Sequence, residues 1–451
     1  MRKNEIYETV ITDYTHEGLG IGRAEGMALF VPGTAAGDRL FVKITKVLKN
    51  YAFAIPEKYI QKSDCRTTPD CAAFSKCGGC AFRHITYESE LEFKSRLVKE
   101  AMHRIGGVET DPQPVLSGNP LFYRNKAQYP VGPCGTGFYS PRSHRIVDIS
   151  GCMLTPAEFS AAAAAFSAFL RQNGIPFYDE TAATGLVRHL FIRKGFATGE
   201  IQVCVVINGT VFPKEKELVA LLRETLGDNL KSVVINTNTR KTNVIMGNAC
   251  RTVYGSDFIT DVICGVKVRL SPLSFYQVNR DMAELLYTLA GTLADASGKT
   301  VLDLYCGTGT IGLSLAKTAA QVIGVEIVER AVCDARENAA RGGIENARFI
   351  CADAAKAAAE LKQDGVSPDV VILDPPRKGC EKSLLYTVAE GFSPERIVYI
   401  SCNPSTLARD VAVLRESGYS VSSYTPVDMF PRTAHVECAA LLTKNRIAAK
   451  T

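Results

Sequence analysis

The apolar positions divide the chain into three textures. Over residues 1–60, short apolar-rich runs at Glu5 to Ile11, Ala28 to Val31 and Arg39 to Leu48 are separated by Gly18, Gly20, Gly22, Gly26, Gly33 and Gly37. Many short strands with glycine punctuation predict a small β-barrel. Residues 61–84 show little periodicity. Tyr87 to Ile105 then reads as an amphipathic helix ended by Gly106-Gly107. From about 110 to 265 the pattern is mixed and strand-rich, with runs at Leu186 to Ile192, Ile201 to Ile207 and Ser232 to Asn236. Helical patterns at Pro156 to Arg171 and Lys214 to Leu226 interrupt it.

Beyond residue 266 short apolar runs alternate with helical segments. The runs are Thr300 to Tyr305, Gln321 to Val325, Ala347 to Cys351, Val370 to Leu373 and Ile397 to Ser401. Such alternation marks parallel βαβ units in a doubly wound sheet. The expected fold class is α/β, with an N-terminal β-barrel (1–60), a mixed, strand-rich central domain (61–265) and a Rossmann-like C-terminal domain (266–451). The helix at 87–105 is expected to pack on the last of these.

Composition agrees with this division. A chain of 451 residues suggests about three domains at roughly 150 residues each. Hydrophobic residues at 46% and charged residues at 22% exclude a disordered or collagen-like chain. The net charge of +5 is too mild, at this length, to indicate a nucleic-acid partner by itself. The N-terminus lacks the apolar core of a secretory signal. No stretch approaches the length of a membrane span, and Ala161 to Leu170 reads as a soluble helix. A reducing cytoplasm is therefore the expected compartment. There, clustered cysteines among the 15 are better read as metal ligands or reactive groups than as disulfides.

Candidate chemistry gathers at the strand ends of the last third. Val301-Leu-Asp303-Leu-Tyr305-Cys-Gly307-Thr-Gly309-Thr310-Ile-Gly312 sets a Gly-rich turn between a strand and a helix. Open α/β sheets bind ligands at this end. The next strand ends at Glu326, seventeen residues after Gly309, where a carboxylate can accept both hydroxyls of a ribose. The third strand leads to Asp353, placed for an adenine amino group, and the fourth to Asp374-Pro-Pro-Arg377. No phosphate loop accompanies these acids. A nucleoside with an uncharged linker, such as S-adenosylmethionine, therefore fits better than NAD.

The fifth strand delivers Cys402 just outside a helix that Ser405 or Thr406 can cap. The helix dipole would favour a thiolate there, although a strand-end cysteine is also an ordinary packing residue. Glu437 opens the strand that follows His435. Such a glutamate is usually solvated, but beside Cys402 it becomes a candidate general base.

Together, Ser401-Cys-Asn-Pro-Ser-Thr-Leu-Ala-Arg-Asp410, Asp374-Pro-Pro-Arg377, Ser274-Phe-Tyr-Gln277-Val-Asn279 and His435-Val-Glu437 resemble the RNA uracil-5 methyltransferases. Thr15-His-Glu-Gly-Leu-Gly20, Val31-Pro-Gly33 and Gly37-Asp38 resemble the TRAM domain, an OB-like RNA-binding barrel. The resemblance covers nearly the whole chain. It implies Cys402 as nucleophile on uracil C6 and Glu437 as the base that takes the C5 proton. It also implies Gln277, Tyr305, Gly307, Glu326 and Asp353 around S-adenosylmethionine, with Asp374 near the cofactor and the target base.

Cys71-x5-Cys77-Gly-Gly-Cys80 is a compact three-thiol set for which zinc or an iron–sulfur cluster is possible. The family's ribosomal-RNA members carry a [4Fe-4S] cluster on the same run. The resemblance then implies Cys152 as the fourth ligand and leaves Cys65 surplus. Between Asp111 and Asp148 there is no acid, while Arg124, Lys126, Arg142 and Arg145 occur among Phe122, Tyr123, Tyr129, Phe138 and Tyr139. Cations neutralise phosphates and aromatic faces stack unpaired bases. Arg188, His189, Arg193 and Lys194 are read as an extension of that RNA surface.

The resemblance implies methylation of ribosomal RNA, with tRNA as the rival substrate. A non-catalytic iron–sulfur RNA-binding protein is the rival from another class. Neither a membrane nor a protein partner is expected.

Overall fold

The computed structural model describes residues 1–148 and 151–445. Ile149 and Ser150, and residues 446–451 of the expected third domain, lie outside the described residues.

The N-terminal strands Ile6–Val10, Asp13–Tyr14, Gly20–Ala24, Met27–Val31, Arg39–Val47 and Tyr51–Gln61 form one six-stranded barrel sheet. Its core is aliphatic: Ile11, Leu29, Val31, Leu40, Val42 and Ile44 are buried together. Two details depart from the sequence reading. Gly20 and Gly22 are not turn residues but lie within a strand, where a Cβ at Gly22 would stand 2.4 Å from Thr9 Oγ1. The long strand Tyr51–Gln61 escaped notice because its second half is polar and holds Pro56, which sits at a register shift against Val42.

The middle of the chain builds a seven-stranded mixed sheet. Its order is Ala249–Gly255, Leu230–Thr237, Ile201–Ile207, Val187–Lys194, Lys126–Gly132, Gly135–Tyr139, Ile146–Asp148. The helix Glu215–Leu226 is the crossover that lets Ile201–Ile207 and Leu230–Thr237 run parallel. With Ala157–Gln172 it covers one face through Phe159, Phe166, Leu218 and Leu222.

On the sheet's other face the predicted RNA surface does not hold. Arg188 is buried and donates to the carbonyls of Asn238, Arg240 and Thr242. Arg193, 1% exposed, donates to those of Ser271 and Ser274, and His189 is buried as well. These cations hold loops over the sheet. Lys194 is paired with Glu158.

The last part is a doubly wound sheet of order Ala347–Cys351, Gln321–Glu326, Thr300–Leu304, Val370–Leu373, Arg396–Ser401, Glu437–Lys444, Tyr419–Val427. The first five strands are parallel, and Glu437–Lys444 is antiparallel to both its neighbours. All four residues of Val370–Leu373 are buried, as a strand covered on both faces requires. The helix Tyr87–Arg104, capped by Thr86, joins this part: Val98 and Met102 pack in one core with Leu407, Val411 and Leu414.

Three rings hold the barrel to that helix. Tyr14, Phe82 and Phe93 pack edge to face, with centroids 5.1, 5.2 and 5.3 Å apart. Phe93 is 1% exposed. Phe93→Ala is expected to lower the stability of the full chain by about 3–5 kcal/mol in urea unfolding. An unchanged midpoint would contradict the packing role.

Candidate active site

The cofactor side is built where Thr300–Leu304 ends. Tyr305 (φ 65°), Gly307 (φ 55°) and Gly309 (φ 77°) adopt left-handed backbone, turning the chain sharply into the helix Thr310–Leu315. A Cβ at Gly309 would stand 2.8 Å from the Phe349 ring, so glycine is required there. At Gly307 nothing lies within 4 Å, and the turn is open to a ligand. Glu326 accepts the Gly307 N–H at 3.1 Å and the Val328 N–H at 2.9 Å, which fixes its carboxylate at the strand end.

Asp353 caps the helix Ala354–Gln363 by accepting from Ala355 and Lys356 N–H. Between these acids Ile327 and Val328 are 64% and 54% exposed, an aliphatic shelf the sequence reading passed over. Its only signal was two apolar residues directly after a strand-end acid. An open glycine turn, a held carboxylate and a bare apolar shelf fit a nucleoside with an uncharged linker.

Strand register brings the candidate nucleophile Cys402 near the candidate base Glu437. Ser401 pairs with Cys438 at the end of the antiparallel ladder, which leaves Cys402 just past one strand and Glu437 at the start of the next, close enough for the Glu437 charge to act on the Cys402 thiol. Asp374 follows the neighbouring strand, with its N–H 3.4 Å from Leu304 O. The helix after Cys402 begins at Pro404, and its cap is Asn403, which accepts from Ser405 and Thr406 N–H, rather than Ser405 or Thr406. Asp410 of the same motif lies outside the site: 1% exposed, it accepts from Tyr399 Oη at 2.5 Å and Cys380 N–H at 2.8 Å.

The electrostatics run against a free thiolate. Burial, then the Glu437 charge, push the Cys402 thiol up, and Arg377 only partly opposes them. Burial and then Asp374 raise Glu437 to about 8, while burial raises Asp374 to about 7. Three acids therefore compete for charge in one cleft, and the expected dipole-stabilised thiolate is not the resting state. Tyr287, missed in the sequence because it sits mid-helix like a core residue, is 8% exposed there. Burial, and then the charge of Asp374, push its hydroxyl up, with the Gln277 side chain opposing them and the Glu437 charge adding to them. The Gln277 carbonyl accepts from Asn125 Nδ2 at 2.7 Å, a tie to the central sheet.

A second constellation lies apart from these residues. Cys71, Cys77, Cys80 and Cys152 all line one apolar cavity, together with Phe74, Arg83, Phe138 and Leu154. Cys65 is not among them; it bonds Ser63 and packs near Tyr14 and Phe82. All fifteen thiols are free. Among the described residues no three His, Cys, Asp or Glu side chains converge tightly enough to hold a single metal ion.

A groove of about 1330 Å³ runs past this loop, lined by Lys62, Arg66, Arg124, Arg377 and His435 among others. It links the barrel to the mouth of the Cys402 site. Of the expected aromatic surface, Phe122 is 47% exposed, but Tyr123 and Tyr129 are core residues.

Residues 265–445 match the tRNA (Uracil-5-)-methyltransferase family model, and residues 2–56 match the TRAM domain. An uncharacterised RNA methyltransferase of Caldanaerobacter subterraneus is 43% identical over 98% of both chains. The chain belongs to the RNA uracil-5 methyltransferase family. Another RNA methyltransferase, from Halalkalibacterium halodurans, is 41% identical over 98% of each chain. Among solved structures, the Pyrococcus abyssi tRNA (uracil-54, C5)-methyltransferase in complex with S-adenosyl-L-homocysteine is similar at a TM-score of 0.80 and 29% identity, covering 97% of this chain and all of that one. The enzyme is thus a methyltransferase that uses S-adenosylmethionine and acts on RNA.

Read as the general base, the raised Glu437 predicts a pH response for this methyltransferase. A base must lose its proton before it can take one, and the Cys402 thiol must also ionise. Turnover is expected to rise through the value of about 8 to which Glu437 is raised, and to keep rising above it because the Cys402 thiol is pushed up as well. Initial rates between about pH 6 and 9 check this; a rate falling across that window would contradict it.

Proposed function

We propose that the enzyme methylates C5 of a uridine in 23S ribosomal RNA, in the cytoplasm. The observation that carries the chemistry is that Cys402 and Glu437 lie at the adjoining ends of paired strands, with the charges of Glu437 and Asp374 acting on Cys402 and that of Asp374 acting on Glu437. Bound S-adenosylmethionine supplies an electrophilic methyl on a sulfonium. Cys402 Sγ adds to uracil C6, and the displaced π electrons make C5 an enolate carbon. C5 then bonds the methyl as the methyl–sulfur bond breaks. Glu437 removes the C5 proton, the C5–C6 double bond reforms, and the Cys402 thiolate leaves. Asp374 accepts the N3–H of uracil, a donor that cytosine lacks.

Gln277, Tyr305, Gly307, Glu326 and Asp353 would hold the cofactor. The positive sulfonium favours ionisation of the acids around it, which offsets the burial that raises them.

The target uridine must be unpaired or flipped to reach Cys402. The cation-lined groove is the proposed path for the RNA strand, with residues 1–60 and 61–265 serving as binding domains and 266–445 as the catalytic one. No helix among the described residues is long and apolar enough to cross a membrane.

Cys71, Cys77, Cys80 and Cys152 would hold a [4Fe-4S] cluster. They line one shared cavity, and Arg83 adds an observation: its Nη2 is buried without a partner at the cavity wall, while Nε meets Cys80 Sγ at 3.4 Å. N–H donors aimed at sulfur suit a thiolate-ligated cluster. Its role would be to pin a loop-rich segment. A second substrate reading, tRNA, is favoured by the likeness to the Pyrococcus abyssi tRNA enzyme.

Cys402→Ala is expected to abolish methyl transfer, and Glu437→Gln to accumulate a covalent RNA adduct on denaturing gels. Full turnover by Cys402→Ala would sink the mechanism. Mapping 5-methyluridine in RNA from a strain lacking the gene decides the target: loss from 23S RNA supports ribosomal RNA, and loss from tRNA moves the enzyme to the second reading. A brown anaerobic preparation with iron and sulfide supports the cluster, whereas a colourless zinc protein would overturn it.

A further inference from the structure

The segment Asp428–Val436 leads into Glu437, yet most of its own polar groups are engaged by residues from elsewhere in the chain. Lys94, wholly buried on the helix Tyr87–Arg104, is at the centre. Its ammonium donates to Asp428 Oδ1 at 2.6 Å, Glu90 Oε1 at 2.7 Å and the Phe430 carbonyl at 3.2 Å, which uses all three of its protons. Tyr87 Oη takes the other Asp428 oxygen at 2.6 Å. Glu90 Oε1 also accepts the Arg432 N–H at 2.7 Å, where Arg432 stands in left-handed backbone at φ 68°.

The neighbouring carbonyls are equally committed. Met429 O accepts from Asn279 Nδ2 at 3.1 Å, and Pro431 O from Tyr123 Oη at 3.0 Å. Arg432 O accepts the backbone N–H groups of Ala81 and Phe82. Every carbonyl from Met429 to Arg432 is therefore held by a group outside the segment. Charge balances as well, since Lys94 and Arg432 face Glu90 and Asp428. A buried network of this kind is costly to break and defines one geometry.

We infer that Lys94, through Asp428 and the Phe430 carbonyl, is a positioning residue for the general base, setting where Glu437 meets the C5 proton. The inference rests on the reading of Glu437 as that base. Among the described residues no bond joins Lys94 to Cys402 or to the cofactor turn, so its effect should fall on the proton-removal step after methyl transfer. The adduct then outlives its normal lifetime. A residue needed only for folding would lower adduct and product together.

The test uses the full chain, S-adenosylmethionine and bulk RNA from a strain lacking the gene. Lys94→Met is expected to slow product release about tenfold or more, while the gel-stable RNA adduct rises toward the level expected for Glu437→Gln. Tyr87→Phe removes only one hydrogen bond to Asp428 and keeps the fold; it should shift adduct and turnover the same way by a smaller factor. The inference is overturned if Tyr87→Phe and any soluble Lys94→Met lower adduct and product in parallel, or leave both unchanged. If Glu437→Gln itself turns over normally without adduct, the base assignment falls, and the inference falls with it.

Discussion

One antiparallel strand sets the geometry of the candidate site. Glu437–Lys444 enters a parallel sheet between Arg396–Ser401 and Tyr419–Val427. Running against its neighbours, it brings its first residue to the end of the sheet where the parallel strands finish. Cys402 leaves one strand at the point where Glu437 enters the next. A slip of one residue would turn Glu437 to the other face and leave Cys402 without a partner. The apolar run Cys438 to Leu442, buried along its length, holds that register.

Burial gives the site its reactivity and also restrains it. Asp374, Glu437 and Cys402 share a cleft in which only Arg377 offers an opposing charge among the causes acting on Glu437 and Cys402. Each acid is disfavoured as an anion until something cationic joins it. Near neutrality Glu437 and Cys402 therefore rest mainly protonated while Asp374 titrates at about 7, and a buried thiol in that state is a weak nucleophile.

The parallel domain was legible because strands covered on both faces must be continuous apolar runs, as Val370–Leu373 is. The glycine turn and strand-end acids were legible because close ligand approach restricts residue type. What the sequence hid were long-range polar partners. Arg188 and Arg193 looked like RNA-binding cations, yet their partners are carbonyls of loops folded over the sheet. Lys94 looks like the solvent side of an amphipathic helix, and the acid that buries it lies 334 residues away. No local pattern encodes such a pairing. Cys152 could be joined to Cys71, Cys77 and Cys80 only through resemblance, since the spacing alone allowed Cys65.

The ring contact of Tyr14, Phe82 and Phe93 carries a thermodynamic consequence. It is joined by the Arg66–Asp38 and Arg96–Asp13 ion pairs across the same junction. The barrel is thereby docked through a packed interface and does not hang from a linker. Its orientation toward the catalytic cleft is already set before any strand arrives. Association then loses less conformational freedom than two tethered modules would, and the entropy of aligning the RNA-facing surfaces is met during folding.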